Sequence, residues 1–198
     1  MSPLSEGTAR GRDSHRAIPT RYGGVLFRSR LEARYAYFFD RLEIPWEYET
    51  QGFVADGVAY LPDFALFAAL GTIWAEVKPS WDVDPEGIAR LQKFALVRPQ
   101  PSRAVLLVGL PRADSPALVF GGDIDAADPV AGPWEDDTQE WRPCPSGHHF
   151  DLAYAGTFRA KFAEDGCPDC FGGDGEARIE VAAEAARSAR FPREGQVA

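Results

Sequence analysis

The sequence predicts an α/β fold, and three observations carry that expectation. Between residues 25 and 42 apolar side chains recur at helical spacing, with Phe27, Leu31, Tyr35, Phe38 and Leu42 in one stripe. Short alternating or continuous apolar runs lie at Trp46–Tyr48, Val58–Phe64, Ile73–Lys78 and Ala104–Val108, the pattern of strands. A second helical stripe, Ile88, Leu91 and Ala95, falls between the last two runs. Helix, strands, helix and strand in that order describe a compact α/β core over about residues 23–120.

Residues 1–22 mix Ser, Gly, Pro and Arg without an apolar period and read as a flexible basic arm. The first helix runs from Val25 to about Leu42, and Pro45 bars its continuation. Trp46 and Tyr48 alternate with Glu47 and Glu49 as a short strand. Val58, Tyr60, Pro62 and Phe64 alternate as a second, whose internal proline suits an edge or a strand end. After Gly71-Thr72, Ile73 to Lys78 make a third strand. Asp84-Pro85 is a helix start, an N-capping Asp followed by Pro at the first helical position. Ala104–Val108 reads as a buried strand, and Ala117–Phe120 as one more. Residues 121–133 are an acidic linker rich in Gly, Asp, Ala and Pro. A Trp- and Cys-bearing module spans 134–171, and a helix with a tail occupies 172–198.

The chain has 198 residues, of which 45% are hydrophobic and 26% charged, enough to build a real core. No apolar run approaches the roughly 20 residues of a bilayer span, and no signal-peptide stretch opens the chain. Three cysteines, two of them in one Cys-x-x-Cys, do not make a disulfide scaffold. A cytoplasmic protein without a membrane partner is expected. The formal net charge of −9 is unfavourable for binding nucleic acid, but the charge is unevenly spread. Residues 1–34 carry seven arginines against three acids, a surplus of +4. Residues 121–140 carry seven acids and no base. Arg28, Arg30 and Arg34 lie on the first helical segment, where they either contact phosphates or solvate the helix.

Strand alternation puts Glu76 and Lys78 on one face of the third strand and Ile73, Ala75 and Val77 on the other. A carboxylate and a lysine inside an apolar strand are costly without partners or a task. If this strand pairs with the preceding one through the loop near Gly71, Asp63 lies beside Glu76. Asp63, Glu76 and the main-chain carbonyl of Val77 are then hard oxygen ligands suited to Mg²⁺. Lys78 is placed to orient the attacking water or to offset phosphate charge. Ser29-x-x-Glu32 is, by its spacing, a capping box in which Glu32 closes the helix N-terminus.

Pro62-Asp63, a gap of twelve residues and then Glu76-Val77-Lys78 resemble the signature of the PD-(D/E)XK nucleases, the restriction-endonuclease-like superfamily. The segment Phe27-Arg28-Ser29-Arg30-Leu31-Glu32-Ala33-Arg34 is similar to the first helix of phage- and mobile-element-encoded members. Tyr60-Leu61-Pro62-Asp63-Phe64 fits the same subgroup. The resemblance covers about residues 22–110 and implies a central mixed sheet flanked by helices. It also implies hydrolysis of DNA phosphodiesters with Mg²⁺ or Mn²⁺, with Glu32, Asp63, Glu76 and Lys78 as the catalytic set. A homodimer or a larger recombination or defence complex would be a natural setting.

Cys144-Pro-Ser-Gly-His148 and Cys167-Pro-Asp-Cys170 are two ligand pairs separated by eighteen residues. Thiolates and an imidazole at these spacings suit tetrahedral Zn²⁺ in a closed, structural site, with His149 as the alternative to His148. A short segment with few core residues folds around such a staple. The wording resembles treble-clef or ribbon-type zinc modules attached to nucleases of this kind. Two other readings stand beside the nuclease: a catalytically inactive module that binds nucleic acid or a protein, and a junction- or end-specific subunit of a recombination or transposition complex.

Overall fold

The computed structural model describes residues 17–55, 57–68, 71–80, 85–98, 102–112, 117–120, 138–143, 150–153 and 175–192. Chain order is β1 (Thr20–Tyr22), β2 (Val25–Phe27), α1 (Arg30–Arg41), β3 (Trp46–Tyr48), β4 (Phe53–Ala55), β5 (Val58–Tyr60), β6 (Phe64–Ala68) and β7 (Gly71–Lys78). There follow α2 (Pro85–Val97), β8 (Ser102–Val108), β9 (Ala117–Phe120), β10 (Thr138–Pro143), β11 (Phe150–Ala153) and α3 (Gly175–Ser188). Seven strands form a mixed sheet in the order β11-β10-β9-β8-β7-β6-β3. All neighbours are antiparallel except β7 and β8, which α2 joins as a parallel crossover.

Alternation along the central strands feeds two cores, one on each face. Phe64, Leu66, Ile73, Ala75, Val77, Val105 and Leu107 pack with α1 and α3. Ala65, Trp74, Ala104 and Leu106 pack on the other face with Leu91, Phe94 and Ala95 of α2 and with Tyr60 of β5. The β4–β5 hairpin lies on α2 as well. Phe53 sets its ring 4.9 Å from Trp74 and 4.7 Å from Phe94, and Tyr60 lies 5.0 Å from Phe94. On the first face Phe64 is the hub of an aromatic cluster, with rings of Phe39 and Tyr48 at 5.4 Å, Trp46 at 5.9 Å and Phe27 at 6.0 Å.

Three boundaries differ from the sequence expectation, each for a physical reason. The helix does not start at Val25. Gly23 and Gly24 take φ of 55° and 82°, which closes a two-residue hairpin pairing Tyr22 with Val25. Thr20–Tyr22, expected in the arm, is therefore one strand of this hairpin, with Thr20 buried. The run Val58–Phe64 is two strands in two sheets, because Pro62 cannot donate to a ladder and the chain turns there. Finally, β10 and β11 fall within 134–171 yet continue the core sheet, since β10 pairs with β9. The zinc candidates Cys144, His148, His149, Cys167 and Cys170, and the capping residue Asp84, lie outside the described residues. Among the described residues no helix is long and apolar enough to cross a membrane.

Helix α1 ends without a glycine. Glu43 adopts φ of 58°, and Ile44 N–H and Glu43 N–H donate to the carbonyls of Phe39 (2.9 Å) and Asp40 (3.1 Å). This is a Schellman closure, with Ile44 tucked into the core beside the helix end. It turns the chain from α1 into β3, which lies at one end of the sheet order.

Candidate functional site: a buried acidic hairpin

The site is built on the β6–β7 hairpin. Phe64 pairs with Ala75, so one further step of the register sets Asp63 opposite Glu76 on the α2 face. Like charges directly opposed across a ladder repel, and here both are buried, Asp63 at 2% and Glu76 at 8% exposure. The protein supports them with specific partners. Asp63 Oδ2 accepts the Val77 N–H at 2.8 Å, and Asp63 Oδ1 lies 2.5 Å from Arg28 Nη2. Glu76 Oε2 accepts the Tyr60 hydroxyl at 2.9 Å, and Glu76 Oε1 lies 2.6 Å from Lys78 Nζ. The packing of the β4–β5 hairpin on α2 is what holds Tyr60 in reach.

Val77 contributes through its backbone. Its N–H faces Asp63, and a strand residue turns its carbonyl to the same edge as its N–H. The Lys78 carbonyl faces the opposite edge and accepts from Gly109 N–H at 2.8 Å. Asp63, Glu76, Lys78 and the Val77 main chain therefore converge where β6 stops and β7 continues.

Glu32 is engaged locally. Ser29 caps α1, accepting the Glu32 N–H at 3.1 Å and donating its hydroxyl to Glu32 Oε1 at 2.6 Å. Glu32 Oε2 accepts the Tyr48 hydroxyl at 2.5 Å and the Arg28 N–H at 3.1 Å. Ser29 thus caps the helix, while the Glu32 carboxylate binds the Ser29 and Tyr48 hydroxyls and the Arg28 N–H and lies near enough to Asp63 to disfavour its ionised form. Its link to the hairpin runs through Arg28, whose backbone it anchors. Arg28 Nε also lies 2.8 Å from Glu49 Oε1, an ion pair without hydrogen-bond alignment. Glu49 itself has φ of 48°, and its N–H donates to the Asp63 carbonyl at 3.0 Å.

Among the described residues four carboxylates (Glu32, Glu49, Asp63 and Glu76) face Arg28 and Lys78, with Arg90 near Tyr60 as a third cation, so the site carries surplus negative charge. Burial and the neighbouring Glu76 push the Asp63 carboxyl up to about 7, against the Val77 N–H and Arg28, which favour its ionised form. Burial and Glu76 likewise push the Tyr60 hydroxyl well above the usual tyrosine range, so it stays a proton donor.

Arg30 and Arg34 stand one turn apart on α1, four residues from each other. The Nε of each is buried without a partner, and burial together with the Arg30 charge disfavours the charged form of Arg34. Sequence reasoning missed Tyr48, Glu49 and Tyr60. Tyr60 had a weak signal, three residues before Asp63 on the same alternating run. Glu49 had none, because its placement depends on a turn rather than a period.

The donors suit a hard divalent cation in kind: buried carboxylate oxygens, a carbonyl on the same edge, and uncompensated negative charge. Among the described residues no group of three or more His, Cys, Asp or Glu side chains converges as a metal cluster, and the Asp63 and Glu76 oxygens engage protein cations and donors. Comparison with protein-family models, curated proteins and solved structures found no match for this chain.

Proposed function

We propose that this chain is a metal-dependent endonuclease of the PD-(D/E)XK type that hydrolyses DNA phosphodiester bonds. The observation that carries the reading is the juxtaposition of buried Asp63 and Glu76 across one hairpin, with Lys78 bonded to Glu76. The mixed sheet, with its antiparallel β6–β7 pair, its parallel β7–β8 crossover and helices on both faces, agrees with a restriction-endonuclease-like core.

Asp63, Glu76 and the Val77 carbonyl would hold Mg²⁺ or Mn²⁺, which supplies an activated water and charge stabilisation at the phosphate. Lys78 keeps its ammonium at the same point, where it orients the attacking water and offsets charge developing on the phosphoryl oxygens. Tyr60 fixes one oxygen of Glu76 and leaves the other to a cation. Glu32, with Tyr48, holds the turn that carries Arg28. The Cys144, His148, Cys167 and Cys170 set is proposed as a structural Zn²⁺ site on its spacing alone.

Arg30 and Arg34 supply the contact to the DNA backbone. Two like charges held four residues apart on one helix, with no anionic side chain paired to either among the described residues, are stabilised by a phosphate. Arg30→Ala or Arg34→Ala is expected to weaken duplex binding equally on unrelated sequences. Each should lower the slope of log affinity against log salt by about 1, read by fluorescence anisotropy across a salt series.

The deciding experiment is cleavage of supercoiled plasmid, linear duplex and a four-way junction with Mg²⁺ or Mn²⁺, beside Glu76→Ala. The expected result is metal-dependent cleavage by the parent and none by a variant with the parent's circular dichroism. A folded Glu76→Ala protein that cuts as well as the parent removes Glu76 from the mechanism. A parent that binds duplex, takes up no Mn²⁺ and cuts nothing is a binding module. Preference for the junction would point to a subunit of a recombination complex.

A further inference from the structure

The Arg28–Asp63 ion pair competes with a metal for Asp63. Asp63 Oδ2 already accepts the Val77 N–H, which leaves Oδ1 the less engaged oxygen, and Arg28 Nη2 sits on it at 2.5 Å. A guanidinium and a divalent ion on one oxygen repel each other strongly in a buried site. Arg28 is built to leave. Its backbone N–H is fixed by Glu32 Oε2 and the Tyr48 hydroxyl, at 3.1 and 3.2 Å, directly after fully buried Phe27. Its side chain, however, is 59% exposed, against 3% for that of Asp63. The guanidinium can therefore turn from Asp63 towards solvent, with the Tyr48 hydroxyl and Glu49 still beside it.

Glu49 limits where it goes. The Arg28 Nε contact to Glu49 is separate from the Nη2 contact to Asp63. Release of Asp63 frees the Nη edge while Glu49 still tethers the group. Glu49 is held for this by a left-handed backbone, a conformation that costs a non-glycine residue about 1–2 kcal/mol, and its N–H is bonded to the Asp63 carbonyl. Strain of this kind persists where the surroundings impose it, and it clusters at ligand clamps. The freed edge of a guanidinium matches two phosphate oxygens.

Resting on the nuclease reading, we propose that Arg28 is a latch: it neutralises Asp63 in the resting protein and is displaced by the metal. Tethered by Glu49, it then grips a DNA phosphate beside the acidic hairpin. The exchange keeps charge nearly balanced, because the site gains a divalent cation as a monovalent one moves from Asp63 to an anionic phosphate. Arg28 is thus a positioning residue that couples metal entry to phosphate capture.

Calorimetric titration of the full chain with Mn²⁺, without DNA, tests the first half. Arg28→Ala should bind Mn²⁺ about three- to tenfold more tightly than the parent, as loss of one competing partly buried ion pair allows. Arg28→Gln, which keeps a polar side chain, should do the same if the alanine variant folds poorly. Glu49→Gln, which leaves the latch on Asp63, should not tighten binding. The second half is read in a Lys78→Ala background that spares the DNA. There, with Mn²⁺ present, adding Arg28→Ala should lower the salt slope of duplex binding by about 1. Equal Mn²⁺ affinity in parent and Arg28 variants overturns the latch and leaves the nuclease reading intact. No Mn²⁺ binding by either overturns both, and an unchanged salt slope overturns the phosphate grip.

Discussion

Asp63→Asn should abolish metal-dependent cleavage and at the same time raise the melting temperature of the protein at pH 8. Loss of activity by at least about a thousandfold is expected, the scale of the several kcal/mol of charge stabilisation a bound metal supplies. The gain in stability follows from the Asp63 carboxyl, whose pKa is pushed to about 7 by burial and by Glu76. In the unfolded chain it titrates near an ordinary value of about 4. Between about pH 4 and 7 the native protein binds the extra proton and the unfolded chain does not. Stability therefore falls as pH rises through that window, is lowest above it, and is highest below about 4 as far as this group is concerned. Asparagine is nearly isosteric, carries no charge and can still accept the Val77 N–H. The stabilisation of the variant over the parent should thus be absent near pH 4, grow towards pH 7 and level off, reaching the order of a few kcal/mol. The Arg28 contact is already reflected in a value of about 7, so losing it does not reverse the sign. Thermal denaturation at pH 4.5, 6 and 8 checks this; a variant less stable than the parent at pH 8 would show that Asp63 is not strained in the fold.

Phe64→Ala should be the most damaging single truncation near the site. Phe64 is fully buried and its ring meets those of Phe27, Phe39, Trp46 and Tyr48. Removing such a ring costs about 3–5 kcal/mol, a large share of the about 5–15 kcal/mol of a whole domain. It also unseats Tyr48, whose hydroxyl supports Glu32 and the Arg28 turn. Phe64→Leu, which fills much of the volume, should recover most of the loss. Urea unfolding monitored by tryptophan fluorescence gives both values, and a Phe64→Ala midpoint close to the parent's would place the core elsewhere.

The central hairpin was legible because its signals are local and periodic. Alternation alone separated Glu76 and Lys78 from Ile73, Ala75 and Val77, and a connection through Gly71 put Asp63 beside Glu76. The same method misplaced the start of α1. Phe27 stands four residues before Leu31 and so extends a helical stripe, yet it belongs to β2 and reaches the same core from a strand. Gly23-Gly24 was the contrary signal, and turn chemistry prevailed over period. The helix end lacked a glycine because Glu43 takes the left-handed position. The partners of the acidic pair had no pattern to reveal them: Arg28 and Asp63 are 35 residues apart, and Tyr60 and Glu76 are 16 apart. Such contacts arise from packing of α1 and the β4–β5 hairpin on opposite faces, which no window of sequence contains.

The end of the sheet next to the site has a bearing on assembly. Strand β3 is only three residues long, follows directly on Pro45, and holds exposed Glu47 at its centre. A proline beside a short strand with a charge in its middle discourages an incoming strand from extending the ladder. Two copies that met along β3 would also set one Glu47 near the other. The chain itself therefore disfavours continuous sheet formation across this border, and the acidic hairpin, which begins at the next strand inward, is shielded from strand invasion on that side. On the proposed nuclease reading, two copies acting together on a duplex are expected to associate through helices or through the far end of the sheet.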